Sequence, residues 1–152
     1  MVDDSILEGL REGNFVLIHD STGRENETDL VMAAGFVKAE DIVRMRGDGG
    51  GLICVAVGRE ISERLGLPFM SDLLESGSKS PVTEYLKADD IPYDEKSSFS
   101  VSINHRNTFT GITDLDRALT IREFAVFCRD LGNDKREVQK KFGSKFRSSG
   151  HV

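Results

Sequence analysis

The sequence predicts an α+β domain: one unit spanning residues 1–152, with a mixed β-sheet core flanked by helices. Three observations carry that expectation. Apolar residues recur at helical spacing in segments that end on glycine or proline, as in "REISERLG" with Pro68 just beyond. Short β-prone apolar runs, "FVLIHD" and "GGGLICVAV", lie between them. The two kinds of segment are interleaved irregularly, without an internal repeat or a low-complexity stretch.

In chain order, "DDSILEGLREGN" reads as a helix with Asp3 or Asp4 as N-cap and Gly13 as stop. Ile6, Leu7 and Leu10 give it one apolar face. "FVLIHD" has the pattern of a buried strand ending at Asp20. "STGRENET" is turn-rich, "DLVMAAG" reads as a second strand, and "AEDIVRMRG" as a short helix closed by Gly47. "GGGLICVAV" predicts a central strand entered through a flexible glycine loop. Residues 71–96 have weak periodicity and hold two of the three prolines, so they read as mostly irregular. "SSFSVSINH" alternates Phe99, Val101 and Ile103 with serines, a half-buried strand. After the loop "RNTFTGITDLDRA", a helix presents Ile121, Phe124, Ala125, Cys128 and Leu131 as a core-facing stripe. "NDKREVQKKFG" reads as a shorter polar helix and "SKFRSSGHV" as a basic loop.

A chain of 152 residues is long enough to bury a real core. A hydrophobic fraction of 38% and a charged fraction of 30% describe an ordinary globular protein. No apolar stretch approaches the roughly 18 residues that span a bilayer. The start "MVDDSILEGLREG" is acidic and amphipathic rather than signal-like, so a cytoplasmic protein is expected. A net charge of −6 and a pI near 5.1 argue against a nucleic-acid surface. A phosphorylated small substrate stays open, because local arginines and metal ions outweigh the global sign. Cys54 and Cys128 show neither metal spacing nor a disulfide framework and read as free thiols. His19, His105 and His151 are too scattered for a histidine-only metal motif.

Chemistry concentrates in "DSTGRENETD". Glu25, Glu27 and Asp29 fall at every second position, which in an extended segment puts all three on one face. Carboxylate oxygens suit magnesium, which would offset their mutual repulsion, and Arg24 offers a planar fork for phosphate or sugar oxygens. A solvated charged turn accounts for the same residues. Cys54 sits in an apolar run, where most cysteines are small buried hydrophobes. "GDGGG" matches a phosphate cradle in composition only. In "HRNTFTGITDLDRALT", hydroxyls and amides can bind phosphate, although Thr113 or Asp114 reads first as a helix N-cap. His151 could act as acid, base or phosphate donor, or be no more than a solvated side chain.

Together, "DSTGRENETDLV", "GGGLICVAV", "ERLGLPFM", "IPYDEKSSFSVSINHRNTFTGITDLDRALTI" and "FRSSGHV" resemble 3,4-dihydroxy-2-butanone 4-phosphate synthase in its archaeal form. The blocks occur in the family's order and cover nearly the whole chain. The resemblance implies a lyase of riboflavin biosynthesis that converts D-ribulose 5-phosphate to 3,4-dihydroxy-2-butanone 4-phosphate and formate. It also implies magnesium, or manganese, as cofactor and a homodimer with active sites at the subunit interface. By the same resemblance Glu25 is a metal ligand, Arg24 and Asp29 touch substrate, and Asp20 and Glu27 are further acids of the site. Cys54 lines it, and Thr110 and His151 belong to the phosphate and substrate neighbourhood.

Members of that family continue past the "R-S-x-G-H-V" loop for several dozen residues. That block carries an "R-x-G-H-T" stretch with a second ligand histidine, and later a substrate-contacting glutamate. Neither is present here, so the resemblance implies that these 152 residues hold the first part of a site and do not turn over substrate alone. A natural truncation and a longer encoded protein are both compatible with this. Two other function classes stand beside the lyase: a non-catalytic phosphosugar- or metal-binding remnant of the same fold, and a general binding module suggested only by the acidic surface.

Overall fold

In the computed structural model, which describes residues 3–77, 80–86 and 90–152, one long helix organises the packing. This helix spans Asp114–Arg129. The elements before it are α1 (Asp4–Arg11), β1 (Val16–His19), β2 (Thr28–Val31), α2 (Ala39–Asp48), α3 (Arg59–Leu65), α4 (Met70–Gly77) and β3 (Asn104–His105). The long helix is therefore α5, followed by α6 (Lys135–Lys145) and β4 (Phe146–Arg147). Two short 3-10 turns, Ala34–Phe36 and Pro81–Tyr85, complete the set.

Two apolar clusters meet on α5. Its Ala118 and Ile121 pack with Val37, Ile53 and Ile42 of α2, with Val152 against them. Its Phe124 packs with Leu65, Ile103, Val138 of α6 and Phe146. Val55 touches both clusters. In the second, Phe124 meets Phe146 edge to face at 6.0 Å and Phe142 lies 5.0 Å from Phe146. Such pairings add directional attraction to the area they bury.

Helix ends follow from side-chain chemistry. The Asp3 carboxylate accepts from the Ser5 amide at 2.9 Å to start α1, and the Thr113 hydroxyl accepts from the Asp116 amide at 3.1 Å to start α5. Asp134 does the same for α6. At the end of α3, Gly66 takes a left-handed φ of 68°, which costs a residue without Cβ nothing. The Arg46 guanidinium grips Asp114 with two hydrogen bonds of 2.8 and 3.0 Å, fastening α2 to the start of α5.

The α+β class holds, but the described strands form two separate antiparallel pairs, β1–β2 and β3–β4, rather than one mixed sheet. Residues 52–57 show why. Ile53, Val55 and Val57 turn inward while Leu52, Cys54 and Ala56 face out, the period of an extended segment. Among the described residues, however, no backbone hydrogen bond joins this segment to a neighbour, so the expected central strand has burial without a ladder.

Other expectations shift in instructive ways. β1 is expected to be buried, yet Leu17 is 69% exposed, because among the described residues β2 is its only strand partner and helices cover only part of the hairpin. The helix over residue 47 does not stop there: Gly47 is helical and Gly49 forms the cap. In 71–96 the chain forms α4 and the turn Pro81–Tyr85, with Lys96 bonded to Asp72 at 2.7 Å; residues 78, 79 and 87–89 lie outside the described residues. The strand expected over 97–105 shrinks to an isolated bridge at Ser100 plus β3, and Phe99 is exposed. The tail is no loose loop. Phe146 is 2% exposed, β4 pairs with β3, and the Val152 carbonyl accepts from the Ile103 amide at 2.8 Å.

Candidate active site

The turn joining β1 to β2 is built around Asp20. One carboxylate oxygen accepts from the Glu25 amide at 2.9 Å and from Arg24 Nη1 at 3.2 Å, and the Asp20 amide donates to the Glu27 carbonyl at 2.9 Å. The backbone amides of Glu25, foremost, and Ser21 hold the Asp20 carboxyl below its ordinary pKa. Arg24 also pairs with Glu25 at 3.4 Å and Asp94 at 3.7 Å, and its guanidinium lies 5.4 Å from the centre of the Tyr93 ring. The Glu25 charge raises the Tyr93 phenol pKa above its usual value.

The regular alternation read from "RENETD" does not extend through this turn. Asn26 has a left-handed φ of 54°, so Glu25 sits in the turn while Asp29 lies on β2 opposite Ile18. Asp29 instead neighbours Cys54. Partial desolvation first and the Asp29 carboxylate second push the Cys54 thiol pKa up, keeping it protonated near neutral pH. Cys54 is exposed, whereas Cys128 is half-buried and its pKa is pushed up to about 11 by burial alone.

Thr110 and His151 are both held near β3, on a second wall, by different partners. Asp116 accepts from the amides of Phe109, Thr110 and Gly111 at 3.3, 3.1 and 2.8 Å, which fixes the loop carrying Thr110 and depresses the carboxyl pKa. Asn104, buried on β3, bonds the His151 amide and ring. Arg147 reaches the Thr108 carbonyl at 3.2 Å. No hydrogen bond or ion pair among the described residues joins the two walls. They share a core instead, since Ile53, beside Cys54, and Val152, beside His151, belong to one apolar cluster.

Four contributors escaped the sequence reading: Tyr93, Asp94, Asn104 and Asp116. "IPYDEK", an acid beside a phenol directly after a proline, was the available signal for the first two. Asn104 acts through a long-range contact with His151 that no local pattern announces, whereas Asp116 closes a loop five to seven residues before it, within the reach of a helix-capping signal. For a metal, the donor chemistry is right, since Glu25, Glu27 and Asp29 offer the oxygens that a hard divalent ion prefers. Among the described residues no three His, Cys, Asp or Glu side chains converge to enclose an ion. These residues offer the donor type a divalent ion takes but do not by themselves enclose one.

A profile of 3,4-dihydroxy-2-butanone 4-phosphate synthase matches residues 4–152. The Methanothermobacter thermautotrophicus protein of that name is 55% identical over 147 residues, covering 96% of this chain and 62% of its own length. The Archaeoglobus fulgidus protein of the same name is 48% identical over 148 residues, covering 96% of this chain and 61% of its own. The chain thus spans about three fifths of the length of these curated relatives. A crystal structure of 3,4-dihydroxy-2-butanone 4-phosphate synthase in complex with two magnesium ions superposes with a TM-score of 0.66. It is 28% identical, and the match covers 98% of this chain and 56% of that one. On a match that runs from the first helix to the last residue, this chain belongs to the 3,4-dihydroxy-2-butanone 4-phosphate synthase family.

Proposed function

We propose that the protein carrying this chain converts D-ribulose 5-phosphate to 3,4-dihydroxy-2-butanone 4-phosphate and formate, as a magnesium-dependent lyase of riboflavin biosynthesis. The observation that carries this reading is the 20–29 turn, where Arg24 is ringed by Asp20, Glu25 and Asp94 on a chain of that family. Glu25 would hold the ion, magnesium or manganese, from one side. Such an ion, when bound, supplies positive charge to the ketone end of the sugar. Arg24 and Asp29 orient the sugar by donating to and accepting from its oxygens.

Asp20, Glu25 and Glu27 are the acids that shuttle protons beside the enolisable carbon, and Asp20, bonded to the Glu25 amide and kept ionised, also fixes the turn. Cys54 lines the wall as a thiol. Thr110 and His151 take the phosphate end. The exposed Leu17 and Ile18 beside this turn provide apolar surface for a homodimer with the site at its interface. The enzyme works in the cytoplasm. Formate release from ribulose 5-phosphate by the full-length protein tests the reading: it should require added magnesium or manganese and stop with chelator. Phosphosugar binding without any formate would replace this reading with that of a binding remnant.

A further inference from the structure

We propose that Asn104 is a positioning residue that holds neutral His151 as its Nε2–H tautomer, so that His151 meets substrate as a hydrogen-bond donor rather than as a base. The part of this that concerns substrate rests on the function proposed above; the tautomer does not.

The two ends of the Asn104 amide are distinguishable. The backbone N–H of His151, shared with the Ile103 carbonyl at 3.2 Å, lies 2.9 Å from Oδ1; an NH2 group placed there would set donor against donor, so that end is the carbonyl oxygen. The other end, Nδ2, has only protons to offer, and it lies 3.1 Å from Nδ1 of the His151 ring. Nδ1 must therefore present its lone pair. The single proton of a neutral ring then resides on Nε2, which has no hydrogen-bond partner among the described residues.

The amide has little freedom to change this arrangement. Asn104 is 3% exposed on β3, and a Cβ at Gly111 would collide with its side chain. Gly111 also has a φ of 87°, where any other residue is strained, and its amide is bonded to Asp116 at 2.8 Å. The Thr110 loop, through Gly111, and the His151 ring thus both rest against one fixed amide. A ring held this way from behind by a donor keeps an outward Nε2–H, suited to a phosphate or hydroxyl oxygen.

The test uses full-length protein labelled with 15N at histidine, at a pH where the ring is neutral. One-bond and long-range 1H–15N correlations should show His151 protonated at Nε2 and bare at Nδ1. Asn104→Asp, which offers only acceptors, should move a proton to Nδ1. Asn104→Leu, of similar volume, should raise KM for ribulose 5-phosphate roughly tenfold or more, the loss expected for a hydrogen bond to a charged group, with a smaller change in kcat. A protein merely destabilised by the change would lose active fraction and leave KM alone. Nδ1–H in the wild-type ring, or an unchanged KM in a folded Asn104→Leu protein, overturns the proposal. If that variant fails to fold, the wild-type spectrum decides. Should the wild type release no formate, the functional reading fails, while the spectrum still settles the tautomer.

Discussion

At the scale of single residues, Glu25 and Cys54 make the sharpest contrast. Glu25 lies on an exposed turn and touches no apolar cluster, so Glu25→Gln should leave the melting temperature within a degree or two while abolishing metal-dependent turnover. Retained activity at limiting magnesium would remove Glu25 from the metal site. Cys54 is accessible but protonated, since desolvation and Asp29 both disfavour its thiolate. Iodoacetamide should therefore modify it more slowly than a free thiol at pH 8, and Asp29→Asn should speed the reaction. Cys54→Ser should slow turnover without erasing it, and a trapped covalent adduct between substrate and Cys54 would contradict a lining role. The sequence disclosed these residues because their chemistry is local: acids, an arginine and a turn within ten positions. It concealed Asn104, whose partner His151 is defined only once the tail has folded against β3.

At the scale of elements, the legible features were those set by neighbours along the chain. Caps on α1, α5 and α6, and the glycine stop on α3, follow from side chains two or three residues away. Strands were less legible, because a ladder depends on a partner elsewhere in the sequence. β4 shows this plainly: "SKFRSSGHV" has no strand periodicity, yet Phe146 enters the core and pairs with His105. The joint between β3 and α5 rests on Thr120, fully buried, whose hydroxyl donates to the Asp116 carbonyl at 2.9 Å and accepts from the His105 amide at 3.0 Å. Thr120→Val keeps the volume and orphans that amide. It should cost about 1–3 kcal/mol in urea unfolding and leave the secondary structure intact by circular dichroism. A cost near zero would mean that the amide finds another partner.

At the scale of the whole molecule, acid should loosen the fold through His105. Its ring is buried edge to face with Phe146 at 5.3 Å, and its Nδ1 accepts from the Asn107 amide at 3.3 Å. Burial depresses its pKa below the ordinary histidine value, so between the folded and unfolded pKa values the unfolded chain binds the extra proton. Stability is thus full above about pH 6.5 and is lost as pH falls through the depressed folded value. Thermal melts at pH 7.5 and 5.5 should show this loss, and His105→Gln should flatten it. A slope unchanged by that substitution would remove His105 as its source, since Asp20 and Asp116, held below the ordinary carboxylate range, do not titrate in this window.

The extended stretch at 52–57 has a kinetic consequence. Its inward side chains pack into the core, but among the described residues its amides hold no bond that must break before solvent reaches them. In heavy water those protons should wash out within the earliest time points, while the amides of the adjoining α5 persist for as long as the fold does. The stretch thus acts as a built-in reporter. Whatever comes to lie along it, be it another stretch of chain or a second copy, will announce itself as a block of newly slow amides bracketing Cys54.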